Sequence, residues 1–339
     1  MQEIEEFLAR FRSLSDLDKL TVLSPNGAVH VRFGIVVSLF FLDGQTEAKR
    51  LAFIEILRHY HAVFGSTLTH YQPLHRSRLV RIRDASFLDH YAEGARAPLR
   101  STNEDVEAND FTPRIYGFSD RRDRTEPTHY YVGGSSMPVD PGLPPISYID
   151  AYIPISWAEQ GGWSALVELV THWCGLLRPM HGTAGLGTLF DQGSSRANSG
   201  LTAFPFVRRF VGLDYNDSVT WANACDLEGP ADHRVIRTTN WLTVLDDGFV
   251  DRLGSADRLG EVLGMDCPVR PWSGGVTIQA GLKPELGDLN RSLIPEHYRS
   301  VARVLRQLRF EDYSDLGYLQ VPFPLDARDE TLSWLRRFD

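Results

Sequence analysis

Residues 146–187 carry the pattern that most limits what this chain can fold into. Ile149, Ala151, Ile153, Ile155 and Trp157 fall on alternate positions, the two-residue period of a strand with one face in a core. Gly161-Gly162 breaks that period. Trp163, Leu166, Val167, Val170, Trp173, Cys174 and Leu177 then recur at three- and four-residue steps, the apolar stripe of a helix. Pro179 cannot extend the helix, and the glycine-rich His181–Gly187 reads as a turn.

A second unit of the same kind lies nearer the N-terminus. Val29, Val31, Phe33, Ile35, Val37, Leu39 and Phe41 alternate and are closed by Asp43-Gly44. A helix is expected from Glu47, with Phe53, Ile56, Leu57, Tyr60 and Phe64 as its stripe. The repeat is one of pattern, not of residues. It predicts an α+β protein of two similar α/β halves, with antiparallel or mixed sheets packed by helices. The halves are expected at 1–100 and 146–339, joined by a charged segment at 101–145 that is rich in Pro and Gly.

Short strands are expected at 114–118 and 129–132, and a helix near 203–211. A strand is expected to end near Ile236, and others to run over 240–245 and 275–281. A helix from Phe249 should pause at Gly254-Ser255 and resume to Leu263, with Ser255 capping the restart. Another should begin at Pro295, and 329–337 reads as a short surface helix. The N-terminus is acidic and amphipathic, with Ile4, Phe7, Leu8, Phe11 and Leu14 on one helical face.

Charge narrows the function. Thirty-five Lys and Arg against 44 Asp and Glu give −9, which argues against a general phosphate-backbone binder and fits a partner with a basic surface. Cys174, Cys225 and Cys267 are far apart and form no zinc spacing, so buried free thiols in a reducing compartment are expected. The start has neither the basic residues nor the unbroken apolar segment of a signal peptide. Apolar runs such as Ile35 to Leu42 are too short for a bilayer. A soluble cytoplasmic protein is the expectation.

Candidate chemistry mostly fails on geometry. The glycines of 181–187 follow a helix, whereas a phosphate loop precedes one. His59 and His61, like His172 and Cys174, are two residues apart on helices and point to different faces. No GxSxG elbow occurs, and Cys174 sits on an apolar face where a thiol is inert. No catalytic, cofactor or metal residue is therefore assigned. The acidic pairs Asp246/Asp247 and Glu285/Asp288 suit either acid–base work, a magnesium ion or contact with a basic partner. As contact residues the charge pattern selects Glu104, Asp105, Glu107, Asp110, Asp120, Asp123 and Glu126, then Asp246, Asp247 and Asp251, then Glu285 and Asp288. Tyr116, Tyr130, Tyr131, Trp241 and Trp272 lie near these loops as interface anchors or core residues, and for Trp241, in a strand, the core is expected.

Several stretches taken in order resemble the type VI secretion immunity family associated with nuclease toxins. They are ISYIDAYIPISWAEQGGWSALVELV with its HGTAGLG, Thr239 to Leu245, GGVTIQAGLKPELGDLNRSLIPEHY, and the opening GIVVSLFFLDGQTEAKRLAFIEILRHY. The resemblance implies a cytoplasmic protein that binds a cognate effector, often a DNase, without chemistry of its own. It carries over no catalytic residue. An acidic inhibitor would then be steered to the basic groove of such an enzyme and cover its entry. Two other readings stay open: a metal-dependent hydrolase using the loop carboxylates, and an adaptor that delivers an effector without inhibiting it.

Overall fold

The computed structural model describes residues 11–24, 27–97, 111–119, 126–137, 146–190, 196–230, 233–314 and 317–339. Eleven strands form one antiparallel sheet. They are β1 (Thr21–Leu23), β2 (Val29–Phe41), β3 (His70–Gln72), β4 (Val80–Arg81), β5 (Arg114–Gly117), β6 (Tyr130–Ser135), β7 (Ser147–Ile153), β8 (His181–Leu189), β9 (Leu242–Asp246), β10 (Val269–Trp272) and β11 (Gly275–Gln279). The helices are α1 (Glu47–Phe64), α2 (Phe87–Arg96), α3 (Ile155–Gly161), α4 (Trp163–Leu177) and α5 (Arg196–Arg209). They continue with α6 (Ser218–Glu228), α7 (Asp247–Arg252), α8 (Ala256–Leu263), α9 (Glu296–Leu305) and α10 (Ala327–Leu335).

The strand order is β10-β11-β9-β8-β2-β7-β6-β5-β3-β4, with β1 pairing one end of β2. The two lead strands of the repeated pattern, β2 and β7, are direct neighbours with Val37 opposite Ala151. Both strand–helix units thus build a single sheet. Their helices also pack together: Tyr60 of α1 lies 6.3 Å from the Trp173 ring of α4. The Trp173 indole donates to His59 Nδ1 at 2.9 Å.

Residues opposite one another in an antiparallel pair share a face, so the register sorts the core. One face carries Leu39, Gly182, Val244 and Thr277, and α4 covers it where the Cys174 thiol meets Thr277. The other carries Ser38, Asp150 and Thr183, and α6 covers it: Trp221 packs at a tilt 4.4 Å from Phe40, and Ser218 Oγ donates to Asp150 at 2.7 Å. Burial of each large apolar side chain here contributes roughly 1.5–3 kcal/mol. No helix among the described residues is long and apolar enough to cross a membrane.

The glycine-rich 181–187 stretch is the largest correction. It is not a turn but the strand β8, buried along its whole length and paired with β2 and β9. Its glycines make room for neighbours: a Cβ on Gly185 would stand 2.2 Å from Asn240 Oδ1, and one on Gly182 2.7 Å from the Ser38 carbonyl. The turn ahead of it is made instead by Arg178, whose φ of 50° closes α4. Further corrections concern boundaries. Pro154 ends β7, so Ile155 and Trp157 belong to α3. Near Ile236 there is an isolated parallel bridge to Arg309, not a strand. The C-terminal helix is no surface element, because Trp334, Leu335 and Phe338 are buried. Of the expected N-terminal helix, Ile4, Phe7 and Leu8 lie outside the described residues, and 14–19 is a 3-10 turn.

Candidate partner-binding surface

The acidic residues near the β10 end of the sheet are placed by two helix starts. Strand β9 ends at Asp246, whose carboxylate caps α7 by accepting from the Phe249 amide at 3.0 Å and also pairs with Arg234. Phe249 and Val250 turn inward, which leaves Asp247 and Asp251 exposed. Gly254, with φ 109°, breaks the helix, and Ser255 Oγ caps α8 from the Arg258 amide at 3.1 Å, as the sequence predicts. Leu259 and Leu263 bury one face of α8, while Asp257 and Glu261 face outward.

The predicted contact carboxylates divide sharply once their surroundings are known. Asp288 is buried and accepts two bonds from Arg209, at 3.0 and 2.9 Å. Burial alone would raise its pKa, but the Arg209 hydrogen bonds and charge hold it below the usual carboxylate range. Glu126 is likewise enclosed, accepting from Arg32 at 2.7 Å and Ser119 at 3.0 Å. Asp246 is occupied by its cap and by Arg234. Asp247, Asp251 and Glu285 are exposed; their backbones are engaged, the Asp247 amide donating to the Gly274 carbonyl at 3.0 Å and the Glu285 amide to the Tyr298 hydroxyl at 3.2 Å. Glu104, Asp105, Glu107, Asp110, Asp120 and Asp123 lie outside the described residues.

Two exposed apolar tips escape a reading based on charge. Met265 is 98% exposed and Leu282 is 90% exposed. The Gly281 amide donates to the Asp266 carbonyl at 3.1 Å, which joins the two turns that carry them. Gly264 and Gly281, with φ of 72° and 81°, make the turns that push them outward. The sequence signal was the pair of glycines flanking single large apolar residues. Exposed apolar tips followed in sequence by the exposed carboxylates Asp266 and Glu285 have the composition of an interface anchor.

Other candidates resolve into the core. Trp241 and Tyr131 are buried, and Tyr116 nearly so. Burial pushes the Cys174 thiol well above its ordinary value, in line with the inert thiol expected there. His181 stacks on Phe40 in the interior, with Nδ1 3.0 Å from the Val244 carbonyl. Burial drives its pKa down to about 3 against that carbonyl's pull, and the nearby Arg237 charge adds to the fall, so the ring is neutral.

Among curated proteins, none matches the chain. Among solved structures it is similar to the Pseudomonas aeruginosa T6SS protein PA0821, with 17% sequence identity and a TM-score of 0.75 over 100% of this chain and 91% of that one. At that identity the likeness shows the fold. The family model of TsiV, type VI immunity for VRR-NUC, matches residues 52–338. That span takes in most of α1, the whole second strand–helix unit and the acidic helices α7 and α8, and the chain belongs to this immunity family.

Proposed function

We propose that the protein neutralises a type VI effector nuclease of the VRR-NUC kind, a DNase, by covering the entry to its nucleic-acid cleft. The carrying observation is the family match over residues 52–338. The surface around α7 and α8 supports the mode of action. Asp247, Asp251 and Glu285 are exposed, and Met265 and Leu282 add exposed apolar anchors to this side of the sheet. A basic groove built for a polyanion attracts such a surface, and the chain's −9 charge speeds the encounter at low salt. The acidic residues at 104–110 and 120–123 join the proposal by charge alone. Occlusion needs no reaction from the inhibitor, so the protein acts as a binding protein in the compartment where the toxin meets DNA, the cytoplasm.

Co-expression with a VRR-NUC nuclease tests this. The wild-type chain should restore growth and, when purified, suppress DNA cleavage in proportion to its concentration. The double variant Asp247→Lys/Asp251→Lys should bind more weakly, with a smaller dependence on salt. Loss of protection by the wild-type chain overturns the function. Unchanged affinity and salt dependence in the double variant removes this surface from it.

A further inference from the structure

The far edge of the sheet has the opposite character. Residues 75–83 read His-Arg-Ser-Arg-Leu-Val-Arg-Ile-Arg and contain the turn after β3 and the edge strand β4. Among the described residues β4 is the last strand of the sheet and pairs only with β3, His70 opposite Arg81 and Tyr71 opposite Val80. Arg76, Arg78, Arg81 and Arg83 are all exposed. None of the four makes an ion pair or side-chain hydrogen bond among the described residues. The adjacent carboxylate, Asp84, is turned to the Ser86 amide at 2.9 Å.

Some exposed arginines elsewhere are matched within the chain, whereas Arg96, Arg258, Arg303 and Arg328 are exposed and unpaired among the described residues but scattered. Arg58 pairs with Glu55 and Asp89, Arg299 with Glu296, and Arg336 with Glu311. One or two cations on an edge strand are enough to discourage pairing with another sheet. Three unmatched guanidinium groups and a fourth, Arg83, whose charge acts on Asp84, fall within eight positions, exceed that need and repel one another, in a chain whose net charge is −9. The planar guanidinium fork fits carboxylates and phosphates alike. The net charge decides between them. A long nucleic acid feels the whole acidic molecule, whereas a compact carboxylate patch on a protein feels the local field within about 8–10 Å.

We propose that the β3–β4 edge is a second docking surface, on which Arg76, Arg78, Arg81 and Arg83 engage a carboxylate-rich patch of the nuclease partner. This rests on the function proposed above. Nine strand spacings of about 4.8 Å separate β4 from β10, so this edge meets a different part of the partner from α7 and α8.

The test uses the full chain and the VRR-NUC nuclease that it protects against in co-expression, inactivated by mutation. Binding is measured by titration calorimetry at low and physiological salt for the wild type, for R76E/R78E/R81E/R83E and for the all-lysine counterpart, with circular dichroism to establish folding. The glutamate variant should bind about tenfold more weakly or worse, and the lysine variant should keep most of the affinity and its salt dependence. R76E/R78E, confined to the turn, repeats the measurement with little demand on folding and should show a smaller loss of the same sign. Wild-type affinity in the folded glutamate variant overturns the proposal. So does binding of a short DNA duplex by the wild type at physiological salt that the glutamate variant loses, which would make the edge a nucleic-acid site. If the wild type binds no such nuclease, the function fails first and this surface with it.

Discussion

The polar interior and the α7–α8 surface hold the same kind of side chain in opposite circumstances. Inside, Asp214 and Arg237 are fully buried and joined at 2.5 and 2.9 Å, with Thr183, Tyr318 and the Tyr215 carbonyl also accepting from the guanidinium. A few residues away Asp150 accepts from Ser38 and Ser218, each at 2.7 Å. On the surface, Asp247 and Asp251 have no such enclosure. A carboxylate in the interior is held in place by donors that would be left unsatisfied without it. A carboxylate on α7 is held by nothing the fold requires. Stability is therefore concentrated in the first group, and freedom to meet a partner in the second.

The largest way to break that contrast is to remove one member of the buried pair. Arg237→Ala leaves Asp214 charged and alone in the interior, which should cost about 3–5 kcal/mol. Denaturant unfolding followed by tryptophan fluorescence reads the loss as a lower midpoint. A loss below about 1 kcal/mol would show that water reaches the pair and that the interior is not sealed.

Next in size is Gly185→Ala. The added methyl would stand 2.2 Å from Asn240 Oδ1, and β8 is fixed on both sides by β2 and β9. Overpacking of this kind costs about 1–3 kcal/mol, read in the same unfolding experiment. The substitution also sharpens the contrast from the backbone side. Conversely, Gly260→Ala on α8 has nothing within 4 Å of its new methyl and should stabilise the helix by a few tenths to about 1 kcal/mol.

Asp288 sits between the two groups, near the surface yet clasped by Arg209. Its folded-state pKa lies below the ordinary carboxylate value of about 3.9, so the pair contributes fully above that range. The contribution drains away as pH falls through the folded value. Asp288→Asn should cost about 1–2 kcal/mol at neutral pH, and the gap from wild type should narrow steadily in acid. A gap that widens in acid would contradict the assignment.

These examples also show what the sequence could and could not carry. The periodicity of β2, α1, α4 and β9, and the α7–α8 break with its Ser255 cap, were readable because apolar spacing and capping chemistry are local. β8 was not, because glycine marks both a turn and a place where another chain segment comes close, and only the position of Asn240 and Ser38 decides which. The exposed tips Met265 and Leu282 were hidden for the same reason. Among the carboxylates, Asp288 and Glu285 look alike in sequence three residues apart. Arg209, 79 residues away, is what separates them. Sign of charge is local, but the partner that uses it up is not.

The smallest expected effect is the most informative about function. Asp247→Lys/Asp251→Lys changes the surface charge by four units at residues that support no buried contact, so unfolding free energy should stay within about 0.5 kcal/mol of wild type. Lysine near the start of α7 opposes the helix dipole, which accounts for a small loss and nothing more. Association with a basic partner should respond far more strongly, in rate and in salt dependence. A side chain that stability ignores and binding requires is what an interface residue must be. If the same substitution instead lowered stability by as much as the loss of Arg237, α7 would be part of the framework, and the docking surface would have to be sought around Met265 and Leu282 alone.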